Sequence, residues 1–264
     1  MPDHPLIPVG AGAELYAQAT EPAETPAPAP DGDGGVWYPL IELFSVTEQW
    51  SYATGDSVQS GVAIDSGTAV VGSDDNNVYG IDISDGIEQW SYATGGLVRS
   101  GVAIADGTAV VGSDDNNVYG IDISDGTEQW SYETGDSVRS GVAIADGTAV
   151  VGSNDDNVYG IDISDGTEQW SYATGDSVQS GVAIADGTAV VGSRDENVYG
   201  IDISDGTEQW SYATGRVVQS GVAIADGTAV VGSDDDNVYG LQQQTEQRYE
   251  TPRISTGTEW ASEL

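Results

Sequence analysis

Cysteine is missing from the 264 residues, so no disulfide, thiolate nucleophile, iron–sulfur cluster or cysteine-ligated zinc can form, and the redox compartment stays open. Lysine is missing too. The cations are six arginines, Arg99, Arg139, Arg194, Arg216, Arg248 and Arg253, against 44 acidic side chains, for a net charge of −38. Nucleic acids and anionic lipid surfaces both need a basic face, so neither is a partner of this chain. A Ser-His-Asp triad or a histidine metal site would depend on one residue, His4 near the N-terminus. No apolar run approaches the about 20 residues of a membrane span. The opening MPDHPLIPVGAGAEL has no basic n-region, so neither a signal peptide nor membrane insertion is expected.

What is abundant is acid, glycine and aromatic residues. A disordered acidic chain would be poor in apolar and aromatic residues, whereas this one is 38% hydrophobic with seven tryptophans and thirteen tyrosines. The expectation is a folded domain that works in concentrated salt, where self-repulsion is screened. The absence of lysine resembles the proteins of extreme halophiles.

Residues 61–80, GVAIDSGTAVVGSDDNNVYG, recur with few changes from Gly101, Gly141, Gly181 and Gly221, and Trp50, Trp90, Trp130, Trp170 and Trp210 keep the same 40-residue period. A period of about 40 to 50 residues with four short strands marks propeller blades. Within a unit, strands are expected over 60–64, 68–73, 78–83 and 88–93, because Asp-Gly between apolar runs and the polar Asp74-Asp75-Asn76-Asn77 stretch are turn formers. The predicted fold is all-β: a propeller of four-stranded antiparallel blades.

The junction Gly80-Ile-Asp82-Ile-Ser-Asp85-Gly86-Ile-Glu-Gln-Trp90 resembles the tryptophan-docking motif A-x-D-x-x-T-G-x-x-x-W of pyrroloquinoline-quinone (PQQ) type propeller repeats. The matched positions are Asp82, Gly86 and Trp90, then Asp122, Gly126 and Trp130, Asp162, Gly166 and Trp170, and Asp202, Gly206 and Trp210. Glycine replaces the family's alanine, and Asp85 its threonine or lysine. The resemblance covers most of the chain and implies that each tryptophan stacks between adjacent blades while the rest of the motif braces the turn. It also suggests an extracellular or cell-surface location, and quinoprotein propellers usually have more blades, commonly eight.

The ends are incomplete. Ile41-Glu42-Leu43 stands one full repeat before Ile81-Asp82-Ile83, and after Tyr239 the motif decays to Leu241-Gln-Gln-Gln. The simplest closure uses the Trp50 strand as the outer strand of the last blade, giving about five blades, with a six-bladed or incomplete ring as the alternative. An incomplete ring would leave self-association open. The expected domains are a disordered Pro/Gly-rich acidic segment over 1–35, the propeller over 36–251 and a tail over 252–264.

In an up-and-down blade the Ala-Asp-Gly and Ser-Asp-Gly turns share one face, and they barely vary. The variable loops share the other: Asp74-Asp75-Asn76 becomes Asn154-Asp155-Asp156 or Arg194-Asp195-Glu196, and Arg216 stands where the first unit has Asp56. The candidate binding residues are therefore Arg194, Arg216 and a ring at the channel mouth of Gln59, Arg99, Arg139, Gln179 and Gln219. Drift in solvated loops is the bland alternative. Calcium would have only Asp/Asn turns that hairpins use anyway, without EF-hand spacing. Such turns condense cations loosely, so no metal site is assigned. A quinone cofactor finds no support, since the neighbouring-cysteine disulfide that the resemblance implies cannot form here.

Three functions remain open. The first is a non-catalytic scaffold that binds a protein partner through the variable face, as the propeller subunits of outer-membrane assembly machinery do. The second is a sugar- or small-ligand-binding propeller, and the third a quinoprotein dehydrogenase. The expectation is the scaffold, with no catalytic residues.

Overall fold

The computed structural model describes residues 46–242. The expected segments 1–35 and 252–264 lie outside them. All the described strands lie in the unit Trp50–Leu264.

The strands come from turn chemistry. In the first unit β1 (Ala63–Asp65), β2 (Thr68–Gly72), β3 (Asn77–Asp82) and β4 (Glu88–Ala93) form one antiparallel sheet in the order β1-β2-β3-β4. The β1–β2 turn has both central residues left-handed, Ser66 at φ 48° and Gly67 at 84°, with Asp106 at 49° and Gly107 at 80° in the next unit. That is the geometry Asp-Gly favours, because its twist matches the flanking strands. Between β2 and β3, Asn76 takes φ 71°, which asparagine tolerates. The β3–β4 pairing slips between Gly80 and Ile81, a bulge that turns the outer strand.

The same sheet recurs as β5–β8 (103–133), β9–β12 (143–173) and β13–β16 (183–213). A fifth sheet has three strands, β17 (Ala223–Ala225), β18 (Thr228–Gly232) and β19 (Val238–Gln242). The protein is thus all-β, with four-stranded antiparallel blades and no helix among the described residues.

The core lies between sheets. β2 is buried along its whole length, so its residues alternate between two neighbours: Val70 faces the second blade, while Val71 belongs with Tyr79, Ile81 and the preceding Trp50 and Tyr52. Val70, Val78, Trp90 and Val98 make one cluster with Ala109, Val111, Tyr119, Ile121 and Ile123 of the second blade, and the pattern repeats at the next two junctions. Near the inner strands the chain runs so close that a Cβ on Gly61 would sit 3.1 Å from the Gly101 Cα. Only glycine permits that approach.

Among the described residues the sheets do not close into a ring. The Trp50 segment packs on the first blade without forming a ladder, and β19 has no fourth strand among the described residues. The five sheets therefore form an open series, and the expected closure through the Trp50 strand gives way to the incomplete-ring alternative. Each junction repeats one step, with tyrosine rings 5.5 Å apart and tilted by 56–58°.

Candidate functional site

The variable face is built from the β2–β3 turns and the segments that link one blade to the next. Each β2–β3 turn is fixed by the aspartate at its second position. Asp115 accepts hydrogen bonds from the Gly95 N–H of the preceding linker at 2.5 Å, the Asn117 N–H at 3.0 Å and the Tyr119 hydroxyl at 2.7 Å. Burial alone would raise its pKa, but these donors outweigh it and hold the carboxyl below the usual aspartate range. Asp75, Asp155, Asp195 and Asp235 do the same work, and Asp235 is lowered to about 2, first by the Tyr239 hydroxyl. In sequence these aspartates read only as turn formers. The signal that would have found them is that the aspartate at the second position and the tyrosine four positions on never change between units.

The first residue of each turn varies, and in the first three blades its side chain meets a residue of the linker that follows its blade. Arg99 donates from Nε and Nη2 to the Asp74 carboxylate at 2.8 and 2.9 Å, and Arg139 to Asp114 at 2.7 and 2.7 Å. Gln179 donates to the Asn154 side-chain oxygen at 2.8 Å, and Gln59, from the linker before the first blade, to Asp74 at 2.7 Å. These are fork-on-carboxylate and amide-on-acceptor pairs. The Arg99 guanidinium and the Gln59 amide hold Asp74 ionised below its ordinary range, and Asp74 in turn raises Arg99.

Arg99, Arg139, Gln179 and Gln59 thus sit on the expected face, but their polar ends are engaged by neighbouring turns. Gln219 holds the linker position that corresponds to Arg194, a combination that brings no carboxylate. The ion pairs among the described residues are Arg99–Asp74 and Arg139–Asp114, so Arg194 and Arg216 have no described carboxylate in ion-pair contact. The Arg194 turn is also unusual in its backbone. Glu196 takes φ 73° where the other turns place Asn or Asp. A left-handed glutamate costs roughly 1 kcal/mol without the local hydrogen bonding that Asn and Asp supply.

The docking residues lie on the other face. The Asp82 carboxylate accepts from the Ser84 N–H and hydroxyl at 2.8 and 2.6 Å and from the Gln89 amide at 3.2 Å, while the Gly86 N–H donates to the Asp82 carbonyl at 2.9 Å. Asp122, Asp162 and Asp202 repeat the arrangement. Trp90 donates its indole N–H to the Ile123 carbonyl of the next blade at 2.8 Å and lies where a Cβ on Gly126 would stand. Trp130 meets Gly166 and Trp170 meets Gly206 in the same way. Trp210 is half-buried, and Glu246 holds the position one repeat after Gly206.

The model of one protein family, described as outer membrane protein assembly factor BamB, matches residues 44–139 and 134–260. Among solved structures the chain is similar to BamB from Moraxella catarrhalis, at 19% identity and a TM-score of 0.65 over 74% of this chain and 61% of that one. Two computationally designed proteins are similar as well. Ika8 matches at 20% identity and a TM-score of 0.63, over 69% of this chain and 57% of that one. Ika4 matches at 20% identity and a TM-score of 0.52, over 57% of this chain and 93% of that one. The chain therefore spans about three fifths of the length of the Moraxella protein. No curated protein matches it in sequence.

Proposed function

The chain belongs to the family of the outer membrane protein assembly factor BamB, and on that premise we propose that it is a non-catalytic scaffold that binds a protein partner through the face carrying the variable loops. The observation that supports this reading is the turn Arg194-Asp195-Glu196. It breaks the local turn chemistry at Glu196 and brings an arginine that no described carboxylate neutralises. Local rules broken without a structural gain mark functional positions. Arg216, on the linker of the same face, adds a second cation on a strongly negative body. An acidic or polar group on the partner is what such a spot would take.

The reading includes no quinone, no calcium and no catalysis. The tryptophan faces of the inner blades are occupied by docking, which leaves a sugar little aromatic surface there. No described helix is long and apolar enough to cross a membrane. The cell-envelope association of the BamB family makes an envelope or surface location the natural proposal.

The test is capture from native lysate in concentrated salt. The variant Arg194→Asp with Arg216→Asp uses residues that already serve the equivalent turns, so it should fold normally and lose the partner. Asp146→Asn on the uniform face, at a position with φ 48° that asparagine tolerates, should keep it. Unchanged capture by the double variant would mean that the loop variation is drift.

A further inference from the structure

We infer that Arg194 and Gln219 form a slot for a carboxylate, filled by an aspartate or glutamate side chain of the protein partner; the inference rests on the partner reading above and names the group that is bound. The chain's own repeats supply the comparison. In the first three blades the first turn residue and the linker residue that follows its blade make a closed pair, with the donor on the linker and the acceptor on the turn. Arg99 forks onto Asp74, Arg139 forks onto Asp114, and Gln179 bonds Asn154 at 2.8 Å. In the fourth blade the same two positions hold Arg194 and Gln219. The acceptor has become a guanidinium, to which Gln219 can offer only a neutral amide oxygen.

The backbone keeps the register of the paired blades. The Arg194 N–H donates to the Ser177 carbonyl at 3.0 Å, as the Asp74 N–H does to Ser57 at 2.8 Å, and the Val218 N–H donates to Ser193 at 3.0 Å, as Val98 does to Ser73. What differs is side-chain chemistry. Within the turn, the Asp195 carboxylate is committed to the Gly175 N–H at 2.6 Å, the Asn197 N–H at 3.0 Å and the Tyr199 hydroxyl at 2.6 Å. The Glu196 carbonyl accepts from the Thr214 N–H at 2.7 Å and hydroxyl at 2.8 Å, which ties the turn to the linker that carries Arg216. The Arg216 carbonyl in turn accepts from the Ser233 hydroxyl of the fifth blade at 3.0 Å. Arg194, Arg216 and Gln219 are exposed on this fixed backbone, so binding has little but side-chain freedom to remove.

The two closed arginine pairs show which group fits, a planar carboxylate that takes two parallel hydrogen bonds from the fork. With 44 acids against six arginines the protein as a whole repels anions, and screening to about 3 Å near 1 M salt confines the attraction to direct contact. A free carboxylate would therefore be held weakly by one exposed fork. An acidic side chain on a protein brings the rest of that partner's surface to bear as well.

The probe is acetate, exchanged for chloride at constant ionic strength in concentrated salt, with the arginine Nε–H signals of isotope-labelled protein as the readout. The Arg194 signal should shift and saturate, while Arg99 and Arg139, already engaged by Asp74 and Asp114, should stay in place. Gln219→Glu keeps Arg194 and supplies the carboxylate from within the chain. It should keep the near-ultraviolet tryptophan signal, abolish the acetate response and weaken capture of the lysate partner roughly 10- to 100-fold, the range of a charged hydrogen-bonded contact. Arg194→Asp with Gln219→Arg recreates the pair of the first blade, so it should fold and show the same loss of capture. The inference is overturned if the Arg194 signal shifts without saturating, which would mean an adventitious ion only, or if the acetate response survives in Gln219→Glu. It is equally overturned if both variants capture the partner as well as the parent does. In that case, loss of capture by Arg194→Asp with Arg216→Asp would leave the variable-face reading standing without the carboxylate, and undiminished capture by that variant too would remove both.

Discussion

The third and fifth blades carry almost the same residues and differ in what surrounds them. In the third blade β10 (Thr148–Gly152) is buried throughout, whereas β18, with the identical sequence Thr-Ala-Val-Val-Gly, is buried at only two of five positions. The difference is neighbours, since the local sequence is shared. In a chain of repeats, stability is the sum of weak units and strong junctions, so a blade with one neighbour has about half the interface of a blade with two. The blade is thus a unit of sequence, while the junction is the unit of stability.

The largest expected effect sharpens that contrast. With 44 acids against six arginines, lowering the salt lengthens screening from about 3 Å near 1 M to about 10 Å near 0.1 M. The near-ultraviolet tryptophan signal should be lost below roughly 0.5 M salt and regained above about 2 M. Hydrogen exchange should show β18 and β19 opening before β10 and β11 (Asn157–Asp162). Full cooperative structure at low salt would refute the charge argument, and uniform opening would break the contrast between blades.

Next in size is the docking tryptophan. Trp130 is buried between two blades and donates to the Ile163 carbonyl at 2.7 Å, so Trp130→Ala should cost about 3–5 kcal/mol as a buried aromatic truncation. Trp210 lies at the last junction without a glycine turn to rest on, and Trp210→Ala should cost clearly less. Denaturant titration in concentrated salt measures both. Equal losses would mean that burial between blades is not what gives the motif its weight.

Alkaline pH separates the first blade from the inner ones. The Tyr52 hydroxyl, bonded to the Glu88 carboxylate, and the Tyr79 hydroxyl, buried and bonded to Asp75, are both pushed up to about 12, while burial and the neighbouring carboxylates raise Tyr119 and Tyr132 further. An unfolded tyrosine titrates near about 10. A raised folded value means stability that is fully present below about pH 10 and is lost as pH climbs through about 12 and beyond. Tyrosinate absorbance should therefore rise first from the Tyr52–Tyr79 pair, with the inner pairs ionising later and together with unfolding. A single titration near the unfolded value without unfolding would show that these hydroxyls are not engaged.

The contrast also shows what a reader of the sequence can and cannot see. The blade was legible because its causes are local: Asp-Gly turns, alternating apolar strands, and a glycine where the tryptophan passes. Openness was not, because Glu48–Ala53 reads as a fourth strand whichever third strand it meets, and pairing partners far apart leave no local mark. The loop face was half legible. Its variability was visible, but the engagement of Arg99 by Asp74 crosses from one blade to the next, a separation that no local turn pattern spans. Setting those two positions side by side in every unit, Arg with Asp twice and then Gln179 with Asn154, would have exposed it.

That pairing sets the smallest prediction. Arg139 is 39% exposed at its side chain and its partner Asp114 12%, so the pair is only partly shielded from solvent, and a pair of this kind contributes about 0.2–1 kcal/mol. Arg139→Gln alone leaves Asp114 facing an amide, which donates one hydrogen bond where the guanidinium donated two. Adding Asp114→Asn converts the pair to the Gln–Asn arrangement already present at Gln179 and Asn154, which bond at 2.8 Å. The single variant should lose a few tenths of a kcal/mol, and the double variant should recover most of it. A double-mutant cycle in concentrated salt reads the coupling directly. Recovery would assign the inner-blade variation to compensating junctions and leave Arg194 and Arg216, which have no such partner among the described residues, as the variation that a binding function must explain. If the two losses simply add, the pairs are not coupled, and Arg99 and Arg139 return to the binding face on equal terms.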